Sequence, residues 1–317
     1  MAILLSVYCL TYNHEKYIRS ALDGFVNQKT NFRYEVFVHD DASTDRTAEI
    51  ILEYASKYPD IIKPIIQTEN QYSKGIKIAL TYIIPRISGK YVAICEGDDY
   101  WCDPFKLQRQ VDFLEKNTGY SACVHNTFKI DETKKILKKG RISNRKQDCD
   151  LCFEDIIKGA SKEYHTSSIV MRKEYCFNRP HYFNIAKGYG DYPLGVYLTT
   201  NEKIRYLSDA MSVYRLYSTP TSWTSRNLTK GVAEIAHFEN VCAFLEAVKK
   251  EIGKDKRVYI DKAITEHKIK IAELKGNYDI IKEEPYRALY KQKSFLYKLK
   301  YRIKQYFPWL YKILKRV

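Results

Sequence analysis

The first 130 residues alternate between patterns typical of buried strands and patterns typical of amphipathic helices. Residues 3–10 form a nearly continuous apolar run, as expected for a strand that is buried on both faces. Similar runs cover residues 34–38, 61–66 and 91–95. This alternation predicts an α/β fold with a mostly parallel sheet that is flanked by helices on both faces.

Apolar residues at helical spacing predict the helices that cover this sheet. Their predicted buried faces are Ile18, Ala21, Leu22 and Phe25; Ala48, Ile51, Leu52 and Ala55; and Ile76, Ala79, Leu80 and Ile83. Ser43 or Thr44 is a candidate N-cap of the second helix, and Pro85 is expected to end the third. Pro104 is predicted to be the first residue of a fourth helix.

The remainder of the chain predicts shorter elements followed by a helical extension. Between residues 120 and 216 the pattern changes to short strands and turns, with one helix beginning near Asp191. After that, two helices separated near Gly253 and a basic, aromatic helix from Pro285 are predicted. The predicted domains are a catalytic domain over 1–225 with halves at 1–119 and 120–225, a helical extension over 226–284 and a tail over 285–317.

The positive charge of the chain is concentrated at its end. The formal net charge is +15, yet no acidic residue follows Glu284 and ten Lys or Arg lie between Arg287 and Arg316. The tail therefore carries +10 of the +15. This distribution predicts a local anionic partner, either a membrane surface or nucleic acid.

Composition excludes several classes of protein. With 45% hydrophobic and 29% charged residues, the chain is typical of a folded soluble protein rather than a disordered one. No stretch approaches the roughly 18 consecutive apolar residues of a membrane-spanning helix. The apolar start lacks the basic region of a signal peptide. Eight cysteines, mostly in apolar surroundings and with a single Cys149-x-x-Cys152 pair, favour a reducing, cytoplasmic location.

Acidic residues stand where the predicted strands end. Asp40 and Asp41 follow the second strand, and Glu96-Gly97-Asp98-Asp99 follows the fourth. Ligands of parallel sheets bind beyond the carboxyl ends of the strands. Asp40 and Asp45 suit a structural role, in a turn or as a helix cap, as well as they suit a role in the site, whereas adjacent carboxylates would be costly to bury unpaired. Such oxygen ligands suit Mg²⁺ or Mn²⁺ beside a diphosphate, so the sequence predicts a metal–nucleotide site.

Three motifs in this order resemble those of family 2 glycosyltransferases. Cys9-Leu10-Thr11-Tyr12-Asn13 resembles the T-x-N opening of the family, and His39-Asp40-Asp41-Ala42-Ser43-Thr44-Asp45 resembles its D-D-x-S-x-D segment. Glu96-Gly97-Asp98-Asp99-Tyr100-Trp101 is similar to its D-x-D segment, in the form of bacterial capsule and lipopolysaccharide enzymes. The resemblance is strong over residues 1–120, weaker to about 225 and absent from the tail.

The resemblance implies a GT-A fold, which is Rossmann-like, and a bound nucleotide-sugar. The implied donor-binding residues are Thr11, Tyr12, Asn13, Asp41 and Asp98. Among these, Tyr12 would stack on the base and Asp41 would hydrogen-bond to its edge, while Asp98 would contact the ribose or the sugar. Asp99 would bind Mn²⁺ or Mg²⁺ between the phosphates. Which of Glu96, Asp98 and Asp99 bind the metal stays open.

The resemblance also implies the catalytic base. Asp191, in Gly190-Asp191, matches the family carboxylate that removes the proton of the acceptor hydroxyl as this attacks the anomeric carbon. With the metal on the leaving-group side, this implies a single displacement with inversion. A family histidine corresponds to Tyr217, and Arg215 is a candidate for the phosphate contact that this histidine would make.

Two further residues are candidates for the acceptor side, and each has a structural alternative. Trp101 suits stacking on an acceptor sugar or packing in the core. His165, in His165-Thr166-Ser167-Ser168, suits an acceptor loop or a polar entry to a strand. Arg215 completes this set of acceptor-side candidates.

The predicted function is an inverting, metal-dependent glycosyltransferase of bacterial surface-polysaccharide assembly that uses a lipid-linked or other saccharide acceptor. A sugar nucleotidyltransferase is the first alternative, but no Gly-rich phosphate loop with Lys follows the first strand. A non-catalytic nucleic-acid-binding protein is the second, but the acidic site argues against a nucleic-acid partner.

The tail, with Leu296, Leu299 and Tyr306 at helical spacing, predicts binding at an anionic membrane surface. Pro308 is expected to divide it into short helices, and neither is long enough to span a bilayer. The predicted location is therefore cytoplasmic and peripheral, on the inner face of the cell membrane. The alternative is a helix that docks on the protein and exposes a solvated basic face.

Overall fold

The structure is a computed structural model that describes residues 2–133, 140–186, 189–216, 232–309 and 311. The chain divides into two compact units. The first comprises Met1–Pro180 and Tyr189–Arg226, and the second comprises His181–Gly188 and Asn227–Val317. Among the described residues, no helix is both long enough and apolar enough to cross a membrane.

The first half of the sheet is parallel. Its strands are β1 (Ile3–Thr11), β2 (Arg33–Asp40), β3 (Ile62–Ile66) and β4 (Tyr91–Ile94), in the spatial order β3-β2-β1-β4. Every neighbouring pair is parallel, and Thr11 at the end of β1 lies opposite Asp40 at the end of β2. All four strands were predicted from their apolar runs. Leu5, Val7 and Cys9 are fully buried, which is why the run in β1 is nearly continuous.

The second half of the sheet is mixed. It contains β5 (Tyr100–Trp101), β6 (Tyr120–Asp131), β7 (Gly140–Arg141), β8 (Cys149–Leu151), β9 (Val170–Arg172) and β10 (Lys203–Leu216). The order continues from β4 as β9-β6-β10-β5, while β7 pairs with β6 and β8 with β10. Strand β9 is antiparallel to both of its neighbours, and β6 and β10 are parallel.

Helices of the first unit confirm most of the predicted pattern. They are α1 (Ile18–Val26), α2 (Thr47–Lys57), α3 (Lys106–Lys116), α4 (Phe153–Ile157) and α5 (Asp191–Leu198). The predicted face of α1 is buried, but Leu52 of α2 is exposed. Helix α3 begins at Lys106, two residues after the start predicted at Pro104.

The cap of α2 and the type of the third predicted helix differ from the predictions. The amide of Thr47 at the start of α2 donates to Asp45 Oδ1 at 2.9 Å, so Asp45 takes the capping role predicted for Ser43 or Thr44. The predicted third helix is replaced by a π-helical turn over Ala79–Ile83 and a 3-10 turn over Ile84–Arg86. Pro85 has no amide hydrogen and therefore interrupts the helical hydrogen bonds.

The second unit is helical. Its helices are α6 (Val232–Glu251), α7 (Arg257–Leu274), α8 (Tyr286–Gln292) and α9 (Phe295–Tyr306), with a 3-10 turn over Tyr278–Lys282. The predicted separation near Gly253 is confirmed. In the described part of the tail, the helix predicted from Pro285 is divided into α8 and α9, because Ser294 starts α9 anew by accepting a hydrogen bond from the Tyr297 amide at 3.3 Å, and α9 ends at Tyr306, two residues before Pro308.

A lysine is buried in the core of the first unit. Lys106 of α3 is fully buried, and its Nζ donates to Gln110 Oε1 at 2.8 Å and lies 4.2 Å from the centroid of a Trp101 ring. Among the described residues, no carboxylate forms an ion pair with it. Burial lowers the pKa of Lys106 to about 7.

We expect Lys106→Met to change how stability depends on pH. The lysine pKa in an unfolded chain is about 10.4, so unfolding takes up a proton at pH values between about 7 and 10. The free energy of unfolding of the wild type should therefore rise relative to the variant across this window, by at most ~1.4 kcal/mol per pH unit. Denaturant titrations at several pH values measure this difference.

Lys116→Met, at an exposed lysine of the same helix, is the matched control and should show no such difference. Parallel pH dependences for the wild type and Lys106→Met would mean that Lys106 keeps its charge when folded.

Candidate active site

The ends of β1 and β2 are joined by side chains of the first two motifs. Asn13 adopts a left-handed backbone conformation with φ 54°, which asparagine tolerates better than most residues. Its amide donates to Ser43 Oγ at 2.9 Å, and its Oδ1 accepts from the Thr44 amide at 2.8 Å. These bonds lock the T-x-N turn to the loop that follows β2.

Asp40 and Asp45 organise this loop. Asp40 Oδ1 accepts from Thr11 Oγ1 at 3.1 Å, and its Oδ2 accepts from the Ser43 amide at 3.0 Å. Asp45 accepts from the amides of Thr47 and Glu15. Burial alone would raise the pKa of Asp45, but these hydrogen bonds outweigh it and lower the pKa. Both residues therefore have the turn-forming and capping roles that the sequence left open.

Asp41, the predicted contact of the base, is buried beside a segment that the sequence did not single out. Its two carboxylate oxygens accept from the amides of Gln71 and Tyr72 at 2.8 and 3.0 Å. Its carbonyl accepts from Asn70 Nδ2 at 3.2 Å. Residues 70–72 consequently border the predicted base site. Tyr12, the other predicted base contact, is half-buried.

The carboxylate turn after β4 is packed against the end of β1. The amide of Gly97 donates to the Leu10 carbonyl at 3.0 Å. A Cβ atom at this glycine would stand 2.5 Å from Thr11 Cγ2, so the close approach of the two segments requires glycine here. Glu96 and Asp98 are half-buried on either side of Gly97, and Asp99 is buried.

Two carboxylates of this turn, those of Glu96 and Asp99, have raised pKa values. Burial, and then the charge of Asp98, raise the pKa of Glu96 to about 8. The same two causes, in the same order, raise the pKa of Asp99 well above its usual value. Among the described residues, no three His, Cys, Asp or Glu side chains are close enough together to hold a metal ion on their own.

Asp99 also contacts the second half of the sheet. Its Oδ1 accepts from the Arg215 amide at 3.0 Å, and its Oδ2 lies 3.6 Å from His165 Nδ1, which is longer than a hydrogen bond. Two elements of the second half, the end of β10 and the segment before β9, therefore meet the D-x-D turn.

Arg215 holds the D-x-D turn in place through its side chain. Its Nη1 donates to the Asp98 carbonyl at 2.7 Å, and its Nε pairs with Glu132 Oε1 at 3.2 Å. The guanidinium carbon lies 5.0 Å from the Tyr17 ring centroid and 4.6 Å from that of Tyr100. Tyr17, Tyr100 and Glu132 were missed in the sequence, where only the position of Tyr100 directly after Asp99 hinted at a role.

His165 faces the site, whereas Trp101 belongs to the core. The His165 ring stacks on Tyr214 with centroids 4.0 Å apart, and burial lowers the pKa of His165 to about 4. Trp101 is 3% exposed and packs edge-on against Phe25 with centroids 4.9 Å apart. Its Nε1 donates to the Ser167 carbonyl at 2.8 Å. The structure thus favours the core-packing alternative for Trp101.

Asp191, the predicted base, stands in the first turn of α5 and is half-buried. After burial, the charge of Asp191 is the second cause that raises the pKa of Tyr164, the residue directly before His165. The electrostatic influence of Asp191 thus reaches the segment that faces Asp99. Tyr217, the counterpart of the family histidine, lies outside the described residues.

Comparison with known proteins identifies the family of the chain. The model of "Glycosyl transferase family 2" matches residues 6–189, which is more than half of the chain. An uncharacterized protein of Mycobacterium tuberculosis is 36% identical over 217 residues, which are 68% of this chain and 59% of that protein. Chondroitin synthase of Escherichia coli is 30% identical over 138 residues, which are 43% of this chain and 19% of the synthase.

Solved structures share the fold at low sequence identity. S. aureus TarS (residues 1–349), in complex with UDP-GlcNAc, has a TM-score of 0.60 and 16% identity, over 91% of this chain and 78% of that one. The mannosyltransferase PcManGT from Pyrobaculum calidifontis, in complex with GDP-Man and Mn²⁺, has a TM-score of 0.54 and 16% identity, over 97% and 88% of the two chains. The predicted GT-A fold is confirmed, and the chain belongs to glycosyl transferase family 2.

We expect Arg215→Gln to lower the free energy of unfolding by about 2–4 kcal/mol, because Glu132 and the Asp98 carbonyl would lose a charged partner in a largely buried setting. Urea unfolding measures the loss. Arg109→Gln is the matched control, since Arg109 pairs with the exposed Asp209 and such pairs contribute about 0–1 kcal/mol. Equally small losses in both variants would mean that Arg215 does not hold the turn in place.

Proposed function

We propose that this glycosyltransferase moves a sugar from a nucleotide-sugar to a saccharide acceptor, with inversion, during assembly of a bacterial surface polysaccharide such as capsule or lipopolysaccharide. The observation that carries the proposal is the contact of three motifs at the carboxyl ends of β1, β2 and β4. Neighbours in fold bind UDP-GlcNAc and GDP-Man, and one relative is a chondroitin synthase. The matched region covers only 59% of the length of the mycobacterial relative, so the activity of the whole protein is proposed here along with its substrates.

The donor site comprises Thr11, Tyr12, Asn13, Asp41 and Asp98. Tyr12, which is half-buried, is proposed to stack on the base, and Asp41 is proposed to hydrogen-bond to the edge of the base. The backbone amides of Gln71 and Tyr72 already donate to the Asp41 carboxylate, which orients it before the donor arrives. Asp98, half-buried beside Gly97, is the proposed contact of the ribose or the sugar.

A divalent cation, Mn²⁺ or Mg²⁺, completes this site. The crowded carboxylates of Glu96, Asp98 and Asp99 suit a cation, because its positive charge would stabilise the ionised forms of Glu96 and Asp99, whose pKa values are raised by burial and by the charge of Asp98. Asp99 Oδ2 is the proposed ligand, since Oδ1 accepts from the Arg215 amide. Mg²⁺ is commonly held by one or two carboxylates plus substrate phosphates, so a complete protein cage is not needed. When bound, the cation stabilises the negative charge of the departing diphosphate.

Asp191 is the proposed general base. A carboxylate within hydrogen-bond reach of the acceptor hydroxyl removes its proton during attack on the anomeric carbon. Asp191 is separate in sequence from the donor motifs, yet its charge acts on Tyr164, next to the segment that faces Asp99. His165 and Arg215 line the same region. His165 is neutral at physiological pH and suits a polar contact with a sugar.

The acceptor is a saccharide, proposed to be lipid-linked, and the enzyme is proposed to work in the cytoplasm at the inner face of the cell membrane. The basic tail supports this location, because it carries ten Lys or Arg and no acidic residue. Membership of a glycosyltransferase family disfavours the nucleotidyltransferase and nucleic-acid-binding alternatives.

A donor screen tests the activity and its metal dependence together. Nucleotide release from a set of UDP-, GDP- and other nucleotide-sugars is measured with and without lipid-linked acceptors, in Mn²⁺ or Mg²⁺ and then in EDTA. We expect nucleotide release from at least one donor, no release in EDTA, and renewed release when Mn²⁺ or Mg²⁺ is added back. Full activity in EDTA would contradict the metal, and no release from any donor would contradict the proposed function.

Asp99→Asn separates charge from structure at the proposed ligand. The amide keeps an oxygen that can accept from the Arg215 backbone, so the fold should survive while the metal-binding charge is lost. We expect transfer to be abolished with the thermal unfolding midpoint nearly unchanged. Asp98→Asn in parallel identifies the ligand, because wild-type metal affinity in Asp99→Asn and its loss in Asp98→Asn would move the assignment to Asp98.

Asp191→Asn should lower turnover by about 10²–10⁴-fold, the usual contribution of a general base. Donor affinity, measured by calorimetry, should barely change because Asp191 is assigned to the acceptor side. Asp209→Asn is the control, since Asp209 is an exposed carboxylate of the same unit whose loss should leave turnover intact. Parallel loss of donor binding in Asp191→Asn would make Asp191 a donor ligand or a structural residue.

A further inference from the structure

Helix α9 of the second unit has two faces of opposite character. One face packs against the rest of its own unit, and the other carries large apolar side chains that are exposed. This arrangement combines features of both sequence-based alternatives, because one face of the helix docks on the protein while the other face remains exposed.

The inward face fixes the helix in place. Tyr301 is 2% exposed and clusters with Ile269 of α7 and Leu289 of α8. Its hydroxyl donates to the Tyr278 carbonyl at 2.9 Å. Lys304 Nζ pairs with Glu273 of α7 at 2.5 Å, in a site where the Glu273 side chain is only 7% exposed. These contacts hold α9 on its unit in one rotational setting and therefore determine which side chains point outward.

The outward face is apolar and aromatic. Phe295, Leu299 and Tyr306 are spaced at i, i+4 and i+11, which places them on one side of a helix. With Leu296 beside them and two residues that follow α9, each is between 44% and 76% exposed. We define the outward face as Phe295, Leu296, Leu299, Tyr306, Phe307 and Trp309. Several large apolar side chains exposed on one face of a helix and directly after it are typical of an interaction site.

Basic residues without acidic partners border the outward face. Arg287, Lys293 and Lys304 pair with Glu284, Glu266 and Glu273. Among the described residues, no carboxylate forms an ion pair with any of four other basic residues, which are Lys291, Lys298, Lys300 and Arg302. With no acidic residue after Glu284, this surface carries a positive charge that the protein leaves uncompensated.

We propose that the outward face of α9 is a membrane-binding surface that lies in the interface of an anionic bilayer. Aromatic residues prefer the level of the lipid headgroups, and Lys and Arg beside them attract anionic lipids. A protein partner is disfavoured, because the cores of protein interfaces are depleted of lysine, whereas Lys interleaved with aromatic residues is typical of helices that lie on membranes. At 12 residues, α9 is too short to span a bilayer.

This inference rests on the proposed location at a membrane. Vesicle binding is measured without donor or acceptor, so it can fail while nucleotide release succeeds, and the two failures are distinguishable.

The test is co-sedimentation of the full-length protein with vesicles of neutral phosphatidylcholine, alone or with about 30% anionic phosphatidylglycerol. We expect binding to the anionic vesicles and release as salt is raised. Phe295→Ser with Leu299→Ser should weaken the partition coefficient at least about tenfold, because two exposed apolar side chains leave the interface. The thermal midpoint should be unchanged, since both side chains are exposed in the protein.

Two further variants test whether vesicle binding depends on the basic residues and on the position of the exposed apolar side chains. Lys300→Gln with Arg302→Gln should weaken binding to anionic vesicles by about fivefold per residue and leave neutral vesicles unaffected. Val258→Ser is the matched control, because Val258 is 65% exposed on α7 of the same unit and lies outside the outward face. It should bind as the wild type does.

Three outcomes would overturn the proposal. The wild type would fail to bind anionic vesicles at low salt, or Phe295→Ser with Leu299→Ser would bind as well as the wild type. Alternatively, sedimentation velocity without lipid would show a wild-type dimer that this double variant dissolves, which would make the outward face a contact between two copies of the chain.

Discussion

Thr11 stands where three strands end, and the contacts of this residue hold the candidate site together. Its carbonyl accepts from the Asp41 amide at 3.0 Å, and its hydroxyl donates to Asp40 Oδ1 at 3.1 Å. Its methyl group occupies the space that a side chain at Gly97 would need. A small, branched residue with one hydroxyl meets all three requirements. The three motifs are adjacent for two reasons. Strand β1 lies between β2 and β4, and Thr11 fits between the ends of these two strands.

Arg215 extends this arrangement to the second half of the sheet. The parallel strands bring the three motifs together, whereas the proposed acceptor side comprises β10, the segment before β9 and α5. Arg215 connects the end of β10 to the D-x-D turn through its backbone bond to Asp99 and its side-chain bond to the Asp98 carbonyl. The side chain is already engaged by Glu132 and two tyrosine rings, which favours a positioning role over the phosphate contact that the sequence suggested.

The sequence predicted the parallel half of the fold because strands that are buried on both faces, such as β1 to β4, consist of nearly continuous runs of apolar residues. It indicated the acidic clusters at the strand ends because these are local features, and the resemblance to family 2 glycosyltransferases proposed their roles in donor binding. It could not predict the partners of those residues, since the bonds from residues 71 and 72 to Asp41 and from Arg215 to Asp99 join segments about 30 and 116 residues apart. The third predicted helix ends near Pro85 as expected, but it forms as a π-helical turn followed by a 3-10 turn, a difference that an apolar pattern does not reveal.

The roles of Trp101 and of the tail likewise depend on contacts that the sequence alone does not reveal. Either role of Trp101 suited its position after the D-x-D motif, and only the packing against Phe25 favours the core. Composition marked the tail as basic and aromatic, but it could not show that Tyr301 and Lys304 turn inward while Phe295 and Leu299 turn outward.

The most direct test of the central claim is the anomeric configuration of the transferred sugar. With an α-linked, gluco-configured nucleotide-sugar that the enzyme accepts, the H1–H2 coupling constant of the purified product is measured by proton NMR. The account predicts a β-linkage, because one base and one displacement invert the anomeric carbon. An α-linked product would contradict this mechanism and the role of Asp191 in it.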